Sequence, residues 1–403
     1  MRPFSFRIYL KRIDTLQRAG SSSLYLCAYR NLPSYMIPLS IPHLAGNEWQ
    51  YVKDCLDTGW VSTAGSYVDR FERMVGDYVG SPYAISCMNG TAALHTCLRI
   101  LGVGPGDYVI APNLTFVATL NAISYTGAQP ILIDINPDTW QLDLDLVEAL
   151  LANPGDYAGR IKACMPVHVL GNMCDMPRLQ QICSTYGIPI VEDSTEALGS
   201  TFAGEHAGTF GTFGTSSFNG NKIITTGGGG IILTRDQALG KRAKHLTTTA
   251  KTDPLDYFHD EVGYNYRLVN VLAALGVAQM EVLPQFIARK KEIDRYYRAE
   301  LAGVGDISFQ SVGDLVDPNC WLFTFRTNRM RDLLHYLNDN GVQSRPFWTP
   351  MNQLPMFRDA PYRSTHGCAE EVHRTAISIP SSSSLTDADL AEVVSKIKSF
   401  YGQ

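Results

Sequence analysis

The stretch Ser216–Gly230, SSFNGNKIITTGGGG, places Lys222 among small polar residues and follows it with four consecutive glycines. Neither Asp nor Glu occurs within ten residues of Lys222 on either side. Glycine is costly to order, so such a run indicates a nucleotide loop, a flexible linker or a backbone that passes close to something bound. A desolvated lysine without a carboxylate partner can act as a nucleophile, although an exposed loop lysine is the simpler interpretation.

The context of the glycine run argues against the first two possibilities. A dinucleotide-binding loop opens a helix, whereas Gly227–Gly230 leads into the strand-like Ile231–Leu233. The sequence contains no GxxxxGK[ST] motif. The run also lies between predicted strands at Phe213–Phe218 and Gly230–Thr234, which is not the place of a linker. Close approach of the backbone to a bound group remains.

From Tyr83 onward, short apolar runs alternate with amphipathic segments, which predicts a mostly parallel sheet covered by helices on both faces. The other predicted strands are Tyr83–Cys87, Tyr108–Pro112, Pro130–Ile135, Ala163–Val169 and Pro189–Glu192; the helices between them are Thr91–Leu101, Thr115–Tyr125, Leu144–Leu151 and Met176–Tyr186. The C-terminal part is predicted to contain a long helix over Val269–Leu301, a strand over Trp321–Thr327, and helices near Arg331–Asn340 and Asp387–Phe400. The fold class is therefore α/β, with a large three-layer domain over residues 36–260 and a smaller α+β domain over 261–403.

Charge separates the first 35 residues from the rest of the chain. They hold six Lys or Arg and one Asp, whereas the whole chain has a net charge of −5, so the remainder carries −10. We expect residues 1–35 to be a dispensable basic extension, with a weak targeting or surface-binding arm as the alternative.

Composition excludes several classes of function. The chain of 403 residues is 45% hydrophobic, and its negative net charge argues against a nucleic-acid partner. No apolar run reaches the ~18 residues of a membrane span. The nine cysteines show no zinc-type spacing, which predicts reduced thiols, a cytoplasmic protein and no metal site.

Three further segments place ligand-type groups at strand ends, where open α/β sheets bind ligands. VEDSTEALGS ends a strand with Asp193, and CMNGTAALH runs from a strand into a helix N-terminus that favours anions. PNLTFVATLNAI places Phe116 where it can stack on a flat ring. Helix capping and core packing are the simpler interpretations of each segment. Together with Lys222 they supply the groups that pyridoxal 5'-phosphate (PLP) requires.

With these segments in this order, the chain resembles the nucleotide-sugar aminotransferases of the DegT/StrS type, which are PLP-dependent transferases of fold type I. The matching stretches are GWVSTAG, NGTAALH, PNLTFVATLNAI, VEDSTEALGS, SSFNGNKIITTGGGG and GYNYRL, and the resemblance extends from about Ile37 to the C-terminus. It implies a homodimer whose active sites lie at the subunit interface.

The resemblance also implies roles for individual residues. Lys222 would carry the cofactor covalently, Asp193 would pair with its ring nitrogen, and Glu196 would lie near the ring edge. Further cofactor contacts are implied for Gly90, Thr91, Phe116, Ser217 and, from the neighbouring subunit, Asn265. Substrate contacts are implied for Trp60, Ser62, Thr63, Asn219, Arg267, Arg345, Trp348 and Asn352.

The subgroup follows from two departures and two segments. Many relatives have histidine-proline where this chain has Asn219 and Gly220, and TGEGG where it has only glycines after the threonine. SFNGNKIITTGGGG together with SRPFWTPMNQLPMF resembles enzymes that aminate UDP-linked 4-keto-6-deoxy-N-acetylhexosamines for bacterial surface glycans. The implied reaction is amination at C4 with L-glutamate as donor. Amination at C3 on the same fold, and a non-catalytic PLP-binding regulator, remain alternatives.

Overall fold

The computed structural model describes residues 36–253 and 255–403, so the basic extension 1–35 lies outside the described residues. The helices are α1 Glu48–Thr58, α2 Ser66–Val79, α3 Gly90–Ile100, α4 Ala118–Tyr125, α5 Leu144–Ala152, α6 Met176–Tyr186, α7 Gln237–Thr247, α8 Asn270–Leu301, α9 Met330–Asp339, α10 Cys368–Thr375 and α11 Asp387–Tyr401. The longer strands are β1 Tyr83–Cys87, β2 Tyr108–Pro112, β3 Gln129–Ile133, β4 Ile161–Cys164, β5 Val191–Asp193, β8 Phe213–Ser217 and β9 Gly230–Thr234. The short strands are β6 Thr201–Phe202, β7 Glu205–His206, β10 Lys251–Asp253, β11 Phe258–His259, β12 Ser308–Phe309, β13 Val316–Asp317, β14 Thr324–Arg326, β15 Arg345–Pro346, β16 Tyr362–Arg363 and β17 Ala376–Ser378.

The main sheet is built from two four-stranded halves that meet between β4 and β5. One half has the order β1-β9-β8-β5 and the other β16-β3-β2-β4. Parallel bridges between Cys164 and Ile190, and between Val167 and Asp193, join them. Only β9 runs antiparallel to its neighbours. The expectation of a mostly parallel sheet is confirmed.

Helices cover both faces of this sheet because its central strands are apolar on both sides. In β2, Val109 and Ala111 pack into a core with α3 and α4, whereas Ile110 packs into a second core with α5 and α6. Leu132 of β3 faces the first core, while its two isoleucine neighbours face the second. The result is the predicted three-layer arrangement.

A second sheet lies in the C-terminal part of the chain. Its order is β12-β14-β17-β15, with all pairs antiparallel, and α9, α11 and the end of α8 pack against it. Ile37, near the start of the described chain, bridges to Val342 and joins the same core. The predicted boundary between residues 260 and 261 stays a prediction.

Helix α8 connects the two regions. Its first part packs against α1 and α2, and its last turns enter the C-terminal core. By length and composition α8 could cross a membrane, since 18 consecutive residues of it have a mean hydropathy of 1.5. However, 56% of this 18-residue stretch is buried inside the fold. Such burial is typical of the core helix of a globular protein.

The eight cysteines of the described residues are all free thiols.

Some predicted boundaries differ from the observed ones for local reasons. Helix α4 begins at Ala118 instead of Thr115, because the preceding residues form a turn at the end of β2. Strand β4 stops at Cys164 instead of Val169, since Pro166 lacks an N–H for the sheet and Leu170 has a φ of 62°. Helices α1 and α2 were not predicted.

Candidate active site

A cavity of about 820 Å³ opens at the C-terminal ends of the parallel strands, where ligands of open α/β sheets bind. The segment 321–349 closes its other side. Ten residues that the sequence predicted as site residues line it together: Gly90, Thr91, Phe116, Asp193, Glu196, Ser217, Asn219, Lys222, Arg345 and Trp348.

The glycine run after Lys222 brings β9 against the turn between β1 and α3. A Cβ on Gly230 would lie 2.4 Å from the carbonyl carbon and oxygen of Asn89, so no other residue fits without a shift of backbone. Gly228 and Gly229 line the cavity itself. The sequence predicts that the run approaches a bound group, whereas the closest neighbours of Gly230 are backbone atoms at the protein's own helix N-terminus.

That helix N-terminus forms one end of the cavity. Asn89 caps α3 by accepting a hydrogen bond from Ala92 N at 2.8 Å, while Gly90 and Thr91 line the cavity beside Ser217. The first N–H groups of a helix have no acceptor within it and carry partial positive charge. With two hydroxyl groups beside them, they can hold a phosphate.

Asp193 is buried at the end of β5. Its Oδ2 accepts a hydrogen bond from Thr119 Oγ1 at 2.7 Å, and its Oδ1 accepts one from Thr195 N at 3.2 Å. The residues after Asp193 form turns, so the carboxylate does not cap a helix. Its orientation is fixed from two sides, as a partner for a ring nitrogen requires.

Lys222 faces two carboxyl groups that are distant from it in sequence. Burial lowers the pKa of Lys222, and the nearby Glu196 and Asp193 counteract this effect. Burial also raises the pKa of Glu196 to about 7, while Lys222 and the Leu170 N–H, which donates to Glu196 Oε2 at 2.8 Å, lower it. The charge-free sequence around Lys222 therefore gives an incomplete description of its surroundings.

Aromatic side chains form part of the cavity wall. Phe116 is half exposed and meets Trp348 edge-on at 6.0 Å between ring centroids. Trp348 stacks on Phe347 at 4.7 Å and lies 6.4 Å from Trp321. The Nζ atom of Lys222 lies 4.2 Å from the centre of the Trp321 ring. Sequence reasoning did not identify Trp321.

Two arginines and a histidine from the C-terminal part of the chain complete the cavity. Arg331 of α9, Arg345 of β15 and His373 of α10 all line it. The Nδ1 atom of His373 donates a hydrogen bond to the carbonyl oxygen of Phe347 at 2.9 Å, which leaves Nε2 available. Arg331 and His373 were missed because they lie in ordinary amphipathic helices, and only the tertiary fold brings them here.

Other predicted site residues lie elsewhere. Thr63, Asn265 and Arg267 line a separate cavity of about 470 Å³, together with Lys244 and Lys251. Their roles stay predictions.

The remaining three lie outside both cavities. Trp60 is 58% exposed, and the carbonyl oxygen of Ser62 accepts a hydrogen bond from Asn270 N. Asn352 donates to Glu370 Oε1 at 2.7 Å, and its own Oδ1 is buried without a partner among the described residues. Their predicted contacts with substrate also stay predictions.

The described residues contain one cluster with metal-type ligands. His245, Asp260 and Glu261 bring ligand atoms within 4.8 Å of one another. Arg242 already pairs with Glu261, and all three side chains are at least partly exposed. The cluster lies outside the cavity that contains Lys222.

The cavity fits PLP group by group. The N-terminus of α3 with Ser217 suits a phosphate, and the fixed carboxylate of Asp193 suits a protonated ring nitrogen. Lys222 lines the same cavity as an amine that burial makes easier to deprotonate.

Comparisons with known proteins agree with this chemistry. The GDP-perosamine synthase of Escherichia coli O157:H7 is 36% identical to this chain over 368 residues, which are 91% of this chain and 98% of that enzyme. The UDP-4-amino-4-deoxy-L-arabinose–oxoglutarate aminotransferase of Shewanella sediminis is 31% identical over 71% of this chain and 74% of its own.

Solved structures and the family model agree as well. The PLP form of Spr1654 from Streptococcus pneumoniae, named as a sugar aminotransferase, superposes with a TM-score of 0.82 at 26% identity over 91% of this chain and 99% of its own. Residues 42–398 match the model of the DegT/DnrJ/EryC1/StrS aminotransferase family. The protein is thus a PLP-dependent aminotransferase of fold type I, and it belongs to the DegT/DnrJ/EryC1/StrS family.

Proposed function

We propose that this enzyme transfers the amino group of L-glutamate to C4 of a nucleotide-linked 4-keto-6-deoxy sugar. The observation that carries the proposal is that different functional groups line the two sides of the 820 Å³ cavity. Asp193, Glu196 and Lys222 line its strand side, whereas Arg331, Arg345 and His373 line its C-terminal side. A substrate with a reactive carbonyl at one end and a diphosphate at the other matches this separation.

The roles at the strand side follow from the contacts there. Bound PLP supplies an electron sink for negative charge that develops on the carbon bearing the nitrogen. Asp193 keeps the ring nitrogen protonated because Thr119 and Thr195 N orient its carboxylate. Lys222 binds the cofactor and then moves a proton at the substrate carbon, so it must be able to lose its own proton. Burial favours that loss.

The diphosphate is assigned to the guanidinium groups. Arg331 and Arg345 come from α9 and β15, and each offers paired N–H donors that match phosphate oxygens. Residues 36–403 carry a net charge of −10, so binding of a diphosphate depends on cations that lie close together in the cavity. Phe347 and Trp348 beside them offer apolar surface to the sugar.

The nucleotide is the finer part of the proposal. The resemblance to the UDP-N-acetylhexosamine subgroup favours UDP-4-keto-6-deoxy-N-acetylglucosamine. The GDP-perosamine synthases, at 35% to 36% identity, favour a GDP-linked sugar as the second candidate. The relative from Shewanella sediminis is named for a UDP-sugar with its amine at C4.

Parallel kinetics with the two keto-sugars and with free UDP and GDP as inhibitors decide between these nucleotides. We expect the UDP-sugar to have at least a tenfold higher kcat/KM, which corresponds to about 1.4 kcal/mol, and free UDP to compete with it. The reverse preference would assign the GDP-sugar. Equal turnover of a free keto-sugar, without inhibition by either nucleotide, would contradict the proposal.

We also propose that two subunits complete each active site. Asn265 and Arg267 lie in their own cavity and not beside Lys222, which is the expected arrangement if they reach a neighbouring subunit. Arg267 Nε is buried without a partner among the described residues. Mixing the inactive variants Lys222→Ala and Asn265→Ala should restore activity by forming one intact site per mixed dimer. No recovery after verified subunit exchange would place Asn265 in its own subunit's site.

A further inference from the structure

Lys290 is a buried lysine with no part in the proposed reaction. It lies in α8, only 3% of it is exposed, and its Nζ donates a hydrogen bond to the carbonyl oxygen of Trp321 at 2.7 Å. Burial lowers the pKa of Lys290 to about 7. Because burying an amine that can ionise is costly, a lysine at this position calls for a specific role.

The segment that Lys290 anchors is itself constrained. Cys320 has a φ of 55°, which is unfavourable for a residue with a side chain. Asn319 fixes the start of the segment, because its Nδ2 donates hydrogen bonds to the carbonyl oxygens of Glu196 and Leu198 at 2.8 and 2.9 Å. The Lys290 contact fixes the segment at its other end, at Trp321.

Trp321 connects this segment to Lys222 in two ways. Its Nε1 donates a hydrogen bond at 2.7 Å to the carbonyl oxygen of Asn221, the residue before Lys222. The ring also lies under the lysine amine, 4.2 Å from Nζ to the ring centre. A displaced Trp321 would therefore change both the backbone position and the surroundings of Lys222.

We propose that Lys290 is a positioning residue: by holding the Trp321 carbonyl, it sets the indole that fixes Asn221 and lies against the amine of Lys222. Lys290 thus acts on cofactor attachment without touching the cofactor. The inference rests on the proposed role of Lys222 as the lysine that binds PLP. It does not depend on which sugar is the substrate.

The test compares PLP affinity in matched variants. Lys290→Met keeps the volume and removes the donor, whereas Lys291→Met removes the neighbouring lysine, which pairs with Asp317 at the surface. Titration of each apoprotein with PLP should show the dissociation constant about tenfold higher for Lys290→Met, the effect of one lost buried hydrogen bond, and unchanged for Lys291→Met. An equal effect of the two substitutions on the PLP dissociation constant would overturn the proposal. So would an unchanged dissociation constant in a Lys290→Met protein that unfolds at a lower temperature.

A double-mutant cycle separates positioning from general destabilisation. Trp321→Phe keeps a ring and loses the indole N–H, so it should weaken PLP binding as Lys290→Met does. The double variant should lose no more PLP affinity than the single variants, because both substitutions act through the contact between the Trp321 indole and Asn221. Additive losses would overturn the proposal, and so would full affinity in Trp321→Phe, a result that decides the case even if Lys290→Met fails to fold.

A separate experiment tests the assignment of Lys222 on which this proposal rests. Borohydride reduction of the PLP-loaded wild-type protein, followed by peptide mapping, should label Lys222. A label on another lysine would refute the role of Lys222 itself, whatever the variants of Lys290 and Trp321 show.

Discussion

Replacing Gly230 by alanine tests why the glycine run follows Lys222. The added Cβ would lie 2.4 Å from the carbonyl carbon and oxygen of Asn89 and 2.7 Å from Gly90 N, where ordinary contacts begin near 3.4 Å. All three neighbours are backbone atoms of the capped start of α3, so no side chain can rotate away. Either β9 or the turn must move by about 1 Å, and overpacking of this kind costs roughly 1–3 kcal/mol. We expect a loss near the upper end of this range.

Gly228→Ala is the matched control, two residues earlier in the same run. Its Cβ would have Met88 O as nearest neighbour, at 3.8 Å, so it fits without strain. Urea unfolding of the two apoproteins should show Gly230→Ala less stable by about 2–3 kcal/mol, with PLP affinity reduced as the helix N-terminus shifts. Stabilities within about 0.5 kcal/mol of each other would refute the explanation by close backbone approach.

Three further predictions concern the charged groups of the cavity. Asp193→Asn should still bind PLP but lose turnover by roughly a hundredfold or more, because an amide cannot keep the ring nitrogen protonated; near-normal turnover would make the carboxylate merely structural. Burial raises the pKa of Glu196 from 4.5 to about 7, so in this window the folded state holds the extra proton and the unfolding free energy of the apoprotein falls as pH rises. Glu196→Gln should flatten that decline in urea titrations between pH 4.5 and 7, and an unchanged slope would contradict the assignment. Arg331→Gln should raise KM for the nucleotide sugar about tenfold with kcat unchanged, whereas the exposed Arg358→Gln should change neither; equal KM values for the two variants would remove Arg331 from the binding site.

The sequence predicted the parts of the fold in which local pattern and tertiary environment agree. Strands β1, β2 and β9 have the predicted limits, since their apolar runs are bounded by turn residues and buried on both faces. Helix α11 begins at Asp387 as predicted, because Thr386 and Asp389 form a capping box there. By contrast, the predicted continuation of the strand from Cys164 to Val169 is wrong. The apolar residues there are buried in an irregular segment, in which Leu170 has a left-handed conformation.

Site residues divide in the same way. Gly90, Asp193 and Lys222 lie in recognisable motifs at strand ends, so their convergence in one cavity followed from the parallel order of the strands. Arg331 and His373 carry no such local signal. Each lies in an amphipathic helix, and the pattern of such a helix does not show which other part of the fold its polar residues will face. The carboxyl groups of Glu196 and Asp193 are 26 and 29 positions from Lys222, so the charge-free sequence beside the lysine does not reveal them, and the strand order brings them to it.

Transfer of a labelled nitrogen tests the proposed reaction most directly. The PLP-loaded protein is incubated with L-[15N]glutamate and UDP-4-keto-6-deoxy-N-acetylglucosamine, and the product is examined by mass spectrometry and NMR. We predict a nucleotide-linked amino sugar with 15N bonded to C4, and no product with Lys222→Ala. Nitrogen at C3, or label transferred only to a free keto acid and to no nucleotide sugar, would contradict the account.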